Sequence, residues 1–593
     1  MFFSGTPLIS DPGSFLFYLP NIIFLVLPID YAFIASFILH TFFGGLGTYL
    51  VAKKGLRFSK TSSIFTAIFY ITFPRTAGFL ETGHFPFVAT TAWMPYLLLA
   101  AIKLIKFPNF KWSILLAISL SGLFFTFATT FVTAAASTVL FVGGSYFFSK
   151  NRSLKTLIFL GFGIAITIGL TAITLFPQLE WLPQTTRFIL LQDRDVYPKW
   201  NGKTEFIKAI YPHVFGGKNL INDLDSEKWI AIGFFISILA LIGFLKLQNK
   251  FKILLILFVS GIFLISLNNV SPIQPLLLSS DWYVLSRVST RNWFIVILSL
   301  VFLAGSGFET LQKKKLKRLA GVLAALTIGE LLILSWIRLE RPIPHQREKV
   351  PVALYEFLKK DPERFRVFCV NRCLSQQDVA KYNLETIEGY GTIYQKNYYN
   401  QFIQLSQVFW DKYTSMLPPP SIYNFREIQP IASILADHNV KYVISPHKLT
   451  GIDFKLVKQF DKFFVFENTL FKSRAYFVAK GNKSEIEAPI LYYSPNKIII
   501  DTSKHKAKEM VLAETWSPGW KAKTNDGKKI RVVETTNKLI KVTFGNEIQS
   551  VELYYYPESY QLGRTISIFT LLTILSYSLW ISRRQKSFKR TRQ

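Results

Sequence analysis

Residues Asn292–Arg338 read NWFIVILSLVFLAGSGFETLQKKKLKRLAGVLAALTIGELLILSWIR, two apolar runs joined by the basic turn Lys313–Arg318. A run of about 20 apolar residues is long enough to cross the roughly 30 Å hydrocarbon core of a bilayer. A Lys/Arg-rich turn at its end marks the cytoplasmic side. The pattern recurs along the chain. Lys53–Lys60, Lys103–Lys111, Lys150–Lys155, Lys246–Lys252, Lys313–Arg318 and Arg583–Gln593 together hold 24 Lys or Arg and no Asp or Glu. Each lies at the end of an apolar run, so most of the formal charge of +31 is a topological bias. Nucleic-acid binders spread such charge over a folded surface, and no nucleic-acid partner is expected.

Half of the 593 residues are hydrophobic and the mean hydropathy is +0.28, which fits a membrane protein. Eleven spans are expected, at 30–52, 61–79, 85–105, 112–129, 130–148, 155–177, 228–247, 252–268, 292–310, 318–338 and 563–582. With the six basic segments inside, these alternate without conflict. The N-terminus is then outside and the C-terminus inside. Residues 1–29 form an outer loop, and its apolar stretch Ser14–Pro28, interrupted by Pro20, reads as a re-entrant or interfacial helix. A start in mid-loop leads us to expect that Met1 is internal to a longer ancestral chain.

Residues 30–338 form the polytopic domain. Residues 339–487 read as an extracytoplasmic mixed α/β region, with helix at Pro351–Lys360, strand at Arg364–Val370, and helix then strand at Ile434–Asn439 and Val440–Ser445. Residues 488–562 read as β-rich. Asn525-Asp526-Gly527 between Trp520–Thr524 and Lys529–Val533 is a hairpin signal, and Leu539–Phe544 and Val551–Tyr556 read as sandwich strands. The last span, 563–582, leads to a basic cytoplasmic tail at 583–593. The only two cysteines, Cys369 and Cys373, fall in the outer region, where a disulfide is permitted; two ordinary small residues are the other reading.

No Walker A loop, dinucleotide fingerprint, HExxH or GxSxG motif is present, which argues against an ATP-driven pump. The informative polar residues lie at the outer ends of the spans. Asp11 is a candidate proton acceptor or cation ligand, or an Asx-turn residue before Pro12. Arg75, Glu81 and His84 share one short turn. Ionisable groups at membrane depth are costly and tend to have partners or jobs: Glu81 and His84 can share a metal or a substrate hydroxyl, or Arg75 and Glu81 form an ion pair. Gln178, Glu180, Arg187, Asp193, Arg194 and Asp195 follow a span directly, and Glu180 and Arg187 stand out as ligands for sugar hydroxyls or phosphate; a solvated loop face is the alternative. Arg287 and Arg291, four apart, share a face if helical and can grip a phosphate or simply snorkel.

These residues in this order resemble the bacterial YfhO-type membrane protein family. The resemblance rests on Gly5-Thr-Pro-Leu-Ile-Ser-Asp11-Pro12, Phe17-Tyr-Leu-Pro-Asn21, Gly83-His84 with Ala92-Trp-Met-Pro95, Pro177-Gln-Leu-Glu180, Arg187, and Arg287 with Arg291. It continues through Asn439–Ile444, Asn468, Ser473-Arg-Ala-Tyr476 and Trp516-Ser-Pro-Gly-Trp520. It implies a GT-C-like polytopic glycosyltransferase of the bacterial cytoplasmic membrane. Such an enzyme moves a sugar from a polyprenyl-phosphate-linked donor to a cell-envelope glycan or lipid acceptor on the outer face. Membrane lipids, the donor and the acceptor are then the partners. A divalent cation, Mg or Mn, or an arginine pair stabilises the leaving phosphate. The resemblance places the first span and its acidic residue upstream of this chain's start, so Asp11, Glu81 and His84 are the catalytic candidates and Glu180, Arg187, Arg287 and Arg291 the substrate-binding ones. A lipid-linked glycan flippase and a non-catalytic glycan-binding scaffold are the rival readings. Trp516, Trp520 and Tyr554–Tyr556 are either sugar-stacking residues or sandwich core.

Overall fold

The structure is a computed structural model. It describes residues 4–149, 153–194, 196–215, 224–340, 350–371, 373–391, 393–406, 416–417, 428–478, 485–503, 509–545 and 548–590. Asp195 and parts of the basic segments at 150–155 and 583–593 lie outside them. The chain divides into two units.

The helical unit comprises residues 12–175, 191–343 and 563–593. Its principal helices are α1 (Ile29–Leu50), α2 (Lys60–Ile71), α3 (Pro86–Lys106), α4 (Phe110–Thr126), α5 (Ala128–Phe147), α6 (Leu154–Trp181), α7 (Phe234–Leu245), α8 (Asn249–Ser266), α9 (Trp293–Lys313), α10 (Lys317–Leu339) and α11 (Glu558–Arg590). Seven helical stretches among the described residues, containing α1, α3, α5, α6, α9 and α10 and the first part of α11 (Glu558–Ile581), are long and apolar enough to cross a bilayer. Shorter apolar helices lie at Phe110–Thr126, Phe234–Leu245 and Phe251–Ser266. The chain is a multi-pass α-helical membrane protein.

Two expected spans are interrupted. The one at 61–79 stops at Ile71 and resumes as a short helix, Arg75–Glu81, across Pro74; proline has no N–H to continue the ladder. The one at 228–247 becomes helical only at Phe234, because residues 229–232 are buried in a non-helical turn with Ala231 at φ +50°. There the N–H groups of Ala231 and Ile232 donate to the carbonyls of Ala209 and Ile210, at 3.0 and 2.7 Å. The stretch expected as one interfacial helix is two single turns, Leu19–Ile22 and Ile23–Val26. Leu19 and Leu25 are each 86% exposed while Tyr18 is 4% exposed, so the segment is pinned by Tyr18 and turns its leucines outward.

Small residues let the membrane helices approach closely. α7 and α9 cross at Gly243 and Gly307, where an added Cβ would lie 2.0 Å from the Leu303 carbonyl oxygen and 1.9 Å from that of Leu239. α11 meets α6 at Gly563, whose added Cβ would lie 2.2 Å from the Ala172 carbonyl oxygen. The Ser567 hydroxyl bridges the α6 ladder there, donating to Gly169 O at 2.9 Å and accepting from Ile173 N at 3.0 Å. Between 564 and 581 most of α11 is exposed. Gly563→Leu is therefore expected to detach α11 from α6 and lower stability by about 1–3 kcal/mol, the usual cost of overpacking. Thermal melting of the purified chain, with cross-linking of a cysteine pair across the two helices, measures this.

The second unit comprises residues 1–11, 176–190 and 344–562. Strands β1 (Arg366–Cys369), β2 (Val440–Ser445), β3 (Phe454–Phe460) and β4 (Phe463–Asn468) form a sheet of order β1-β2-β4-β3, with β1 and β2 parallel. Helices Val352–Lys359, Gln376–Lys381, Lys396–Ser406 and Ala432–Asp437 accompany it. Ten further strands make two five-stranded sheets. They are β5 (Ala475–Val478), β6 (Glu485–Glu487), β7 (Ile490–Ser494), β8 (Lys497–Asp501), β9 (Glu509–Thr515), β10 (Trp520–Thr524), β11 (Lys529–Ile530), β12 (Val532–Glu534), β13 (Leu539–Thr543) and β14 (Ser550–Tyr555). The orders are β11-β10-β14-β8-β7 and β12-β13-β9-β5-β6. β5 and β6 thus join this sandwich-like part, although a boundary at 488 assigns them to the mixed region. The hairpin forms at Asn525-Asp526-Gly527, with Gly527 at φ +84°, but its second arm divides: β11 pairs with β10 and β12 with β13. Trp516 and Trp520 are partly buried against the core of this part. Cys369 and Cys373 form a disulfide, which resolves the alternative left open by their spacing.

A buried ionic network binds these sheets. Arg366 and Arg474 reach the Glu514 carboxylate at 2.8 and 2.9 Å, and Arg474 also reaches Glu385 at 2.9 Å. Asn439 accepts from Arg474 Nε at 2.8 Å, and Asn468 donates to the Ala432 and Val440 carbonyls. The resemblance residues Asn439, Asn468 and Arg474 are thus joints between β1, β2, β4, β5 and β9.

Candidate functional site

The break at Pro74 places Arg75 on the first turn of Arg75–Glu81, inside the helical unit and 1% exposed. Its Nη1 donates to the carbonyls of Ser226, Glu227 and Trp229 at 3.1, 3.1 and 2.6 Å, and its Nη2 to Thr290 at 3.3 Å. One guanidinium thereby folds the 226–229 turn against the start of α9. A buried carbonyl needs a donor, and Arg75 serves four of them at once.

That turn carries two carboxylates. Asp225 Oδ1 accepts from the Glu227 and Lys228 N–H groups at 2.9 and 3.0 Å, and its other oxygen accepts from the Tyr197 hydroxyl. Glu227, 7% exposed, accepts from Arg291 Nε at 2.9 Å and from Arg291 Nη2, with Arg75 4.0 Å from its second oxygen. The Arg291 guanidinium lies 5.0 Å from the Phe87 ring and 4.9 Å from that of Phe127. Burial pushes the Glu227 carboxyl up, but Arg291 and Arg75 outweigh it and hold it below the ordinary carboxylate range. Burial, reinforced by Arg291, pushes His84 down, so at neutral pH it is a neutral imidazole beside Phe79 and Phe87. Arg338, fully buried near the end of α10, pairs with Glu81, donates to the Leu224 carbonyl at 2.6 Å and lies 5.1 Å from the Trp229 ring.

The expected residues Glu81, His84 and Arg291 therefore converge in the helical unit. The alternative Arg75–Glu81 pair is replaced by Arg75 with Glu227 and Arg338 with Glu81. The shared helical face of Arg287 and Arg291 does not form. A short helix ends at Ser286, Arg287 caps it with φ +64°, and Arg291 sits in the next 3-10 turn, Ser289–Asn292. The Arg287 carbonyl instead accepts from Tyr197 N at 2.7 Å, while its charge is felt at His84. Asp11, Glu180 and Arg187 belong to the other unit. Asp11 follows Ser10, which hydrogen-bonds Tyr555; the charge of Glu180 is felt at that phenol, and its carboxylate accepts from Ser559. Arg187 lies in a turn beside the Thr185–Gln395 bridge.

Sequence reasoning missed Asp225, Glu227, Tyr197 and Arg338. Their signal was an acidic run just before an apolar span, and an arginine inside another span. It also missed Tyr18 and His40. His40 Nδ1 donates to the Ser36 carbonyl at 2.7 Å, so Nε2 accepts from the Tyr18 hydroxyl at 2.7 Å, and Trp93 donates to Tyr18 at 2.9 Å. A cavity of about 30 Å³ lies between His40, Tyr70, Arg75, Thr91 and Phe294. This is space for about two waters, so a sugar ring enters only if side chains move. Among the described residues no three His, Cys, Asp or Glu side chains gather as a metal site.

No family model and no curated protein matches the chain. Among the similar solved structures are three of the arabinofuranosyltransferase AftD from Mycobacteria. One has TM-score 0.46 and 10% identity, covering 92% of this chain and 53% of AftD. A second, the R1389S mutant in class 2, has TM-score 0.45 and 9% identity, covering 91% and 54%. The third, the same mutant in class 1, has TM-score 0.43 and 10% identity, again covering 91% and 54%. The chain thus spans about half the length of each AftD structure it matches.

Proposed function

We propose that this chain is a membrane glycosyltransferase that moves a sugar from a polyprenyl-phosphate-linked donor to a cell-envelope acceptor at the outer face. The observation that carries the reading is the Arg291–Glu227 pair, a phosphate-gripping cation and an ionised carboxylate that occupy each other when no substrate is bound. A donor phosphate competes for Arg291, since guanidinium pairs with phosphate as well as with carboxylate. Glu227 is then freed to take the acceptor hydroxyl proton. The hydroxyl oxygen attacks the anomeric carbon, the bond from that carbon to the phosphate oxygen breaks, and the lipid phosphate leaves against Arg291. His84 offers a neutral hydrogen-bonding group next to the pair, Arg287 adds positive charge, and Arg75 and Arg338 with Glu81 position the turn. The Cys369–Cys373 disulfide supports placing the second unit on an oxidising, extracytoplasmic side.

Arg291→Ala is expected to weaken donor binding about 10- to 100-fold, the 1.5–3 kcal/mol of a hydrogen bond to a charged group. Titration of the purified chain with a polyprenyl-phosphate sugar measures this. Unchanged donor affinity in a folded variant removes Arg291 from the site.

A further inference from the structure

α1 ends in a π-turn, Val51–Gly55, that buries Val51, Ala52 and Gly55 and leaves Lys53 and Lys54 exposed side by side. Two lysines of α3 reach across to it. Lys103 Nζ donates to the Lys54 carbonyl at 2.8 Å and Lys106 Nζ to the Gly55 carbonyl at 2.9 Å. Lys53 Nζ donates to the Phe58 carbonyl at 3.4 Å. Arg57 follows the turn at φ +64°, and its charge and that of Lys103 both act on Lys106. Among the described residues none of these five cations has an acidic partner. Each of the three bonded ammonium groups keeps two N–H donors free. The neighbouring rings are aromatic: Lys103 lies 5.7 Å from Phe107 and 5.8 Å from Trp112, and Lys111 lies 5.3 Å from Trp112. Leu46, Leu56 and Phe107 are exposed.

We propose that this junction is a binding site for the phosphate headgroup of an anionic membrane lipid. A loop bias in basic residues requires only that they lie on one side of the membrane. Here five are gathered, two of them fixed by backbone bonds across two helices. The helix-end carbonyls already have their donors, so the remaining ammonium and guanidinium groups are available for an external anion. The exposed leucines and rings beside them suit the glycerol and first acyl carbons of a lipid, which a free phosphate does not have. Clustered Lys and Arg at the ends of membrane helices draw anionic headgroups in this way.

The test is native mass spectrometry of the purified full chain in mild detergent, titrated with phosphatidylglycerol, phosphatidylcholine and inorganic phosphate. Phosphatidylglycerol is expected to bind, phosphatidylcholine not to bind at the same concentration, and millimolar phosphate not to displace the lipid. The triple variant K53Q/K54Q/R57Q is expected to bind about a hundredfold more weakly, roughly a factor of five per cation. K314Q/K315Q/R318Q, which loses equal charge at another basic turn, is expected to bind as the unaltered chain does, as is the charge-preserving K53R/K54R/R57K. Equal losses in both Gln triples, undiminished binding by K53Q/K54Q/R57Q, or displacement by inorganic phosphate would overturn the proposal.

Discussion

Glu227→Gln is expected to reduce sugar transfer about 10²- to 10⁴-fold, the range that a positioned general base contributes, while donor affinity is kept or raised, since the phosphate no longer competes with a carboxylate for Arg291. Glutamine fills the same volume and still accepts from Arg291, so the 226–229 turn held by Arg75 persists. The carboxylate is held below its ordinary range by Arg291 and Arg75 against the opposing effect of burial. A depressed carboxylate stays ionised above its unfolded value and is lost only as pH falls through the folded one. Transfer by the unaltered chain should therefore change little between about pH 6 and 8 on this group's account, and fall on the acid side. Single-turnover transfer together with equilibrium donor binding separates the two effects. Full turnover by the Gln variant would remove Glu227 from the chemistry, whatever its role in shaping the turn.

The second large effect is expected in the ionic joint of the other unit. Glu514 is 2% exposed and answers two fully buried arginines. Among the described residues Glu514→Ala leaves Arg366 and Arg474 with Glu385 as their one remaining carboxylate, and breaking a buried pair in this way costs about 3–5 kcal/mol. Thermal unfolding of the purified chain should show one early transition in the variant, with the helical unit melting as before. Replacing Arg366, Arg474 and Glu514 together with apolar residues of similar volume should recover much of the loss, because the penalty comes from the unmatched charges rather than from losing the pair itself. If Glu514→Ala melts with the parent chain, the network is not what holds the sheets together.

The spans and strands were legible where one local signal dominated. Apolar length marked α1, α3, α6, α9 and α10, and Asn525-Asp526-Gly527 marked the hairpin because Gly527 accepts the positive φ that the turn demands. Tertiary contacts overruled the rest. Residues 229–232 have the composition of a span, yet Arg75, more than 150 positions earlier, captures the carbonyls of Ser226, Glu227 and Trp229 and the segment stays non-helical, with Ala231 at φ +50°. The spacing of Arg287 and Arg291 fits one helical face, but the backbone reverses at Arg287. Glu81, His84 and Arg291 were found because charge at the end of a span is conspicuous. Asp225 and Glu227 were passed over because an acidic loop run normally faces water, and nothing local reveals that guanidinium groups bury it. Asn439 and Arg474, prominent in the family resemblance, have buried polar roles that no periodicity could show.

The bond between Cys369 and Cys373 leaves the chain with no free thiol. Any cysteine engineered elsewhere would be the sole target for a maleimide, with no need to strip native sulfhydryls first. Membrane-impermeant reagents applied to intact cells carrying one such residue at a time, first at position 84 and then at 527, would map which compartment each segment faces, using the protein's own background as the blank.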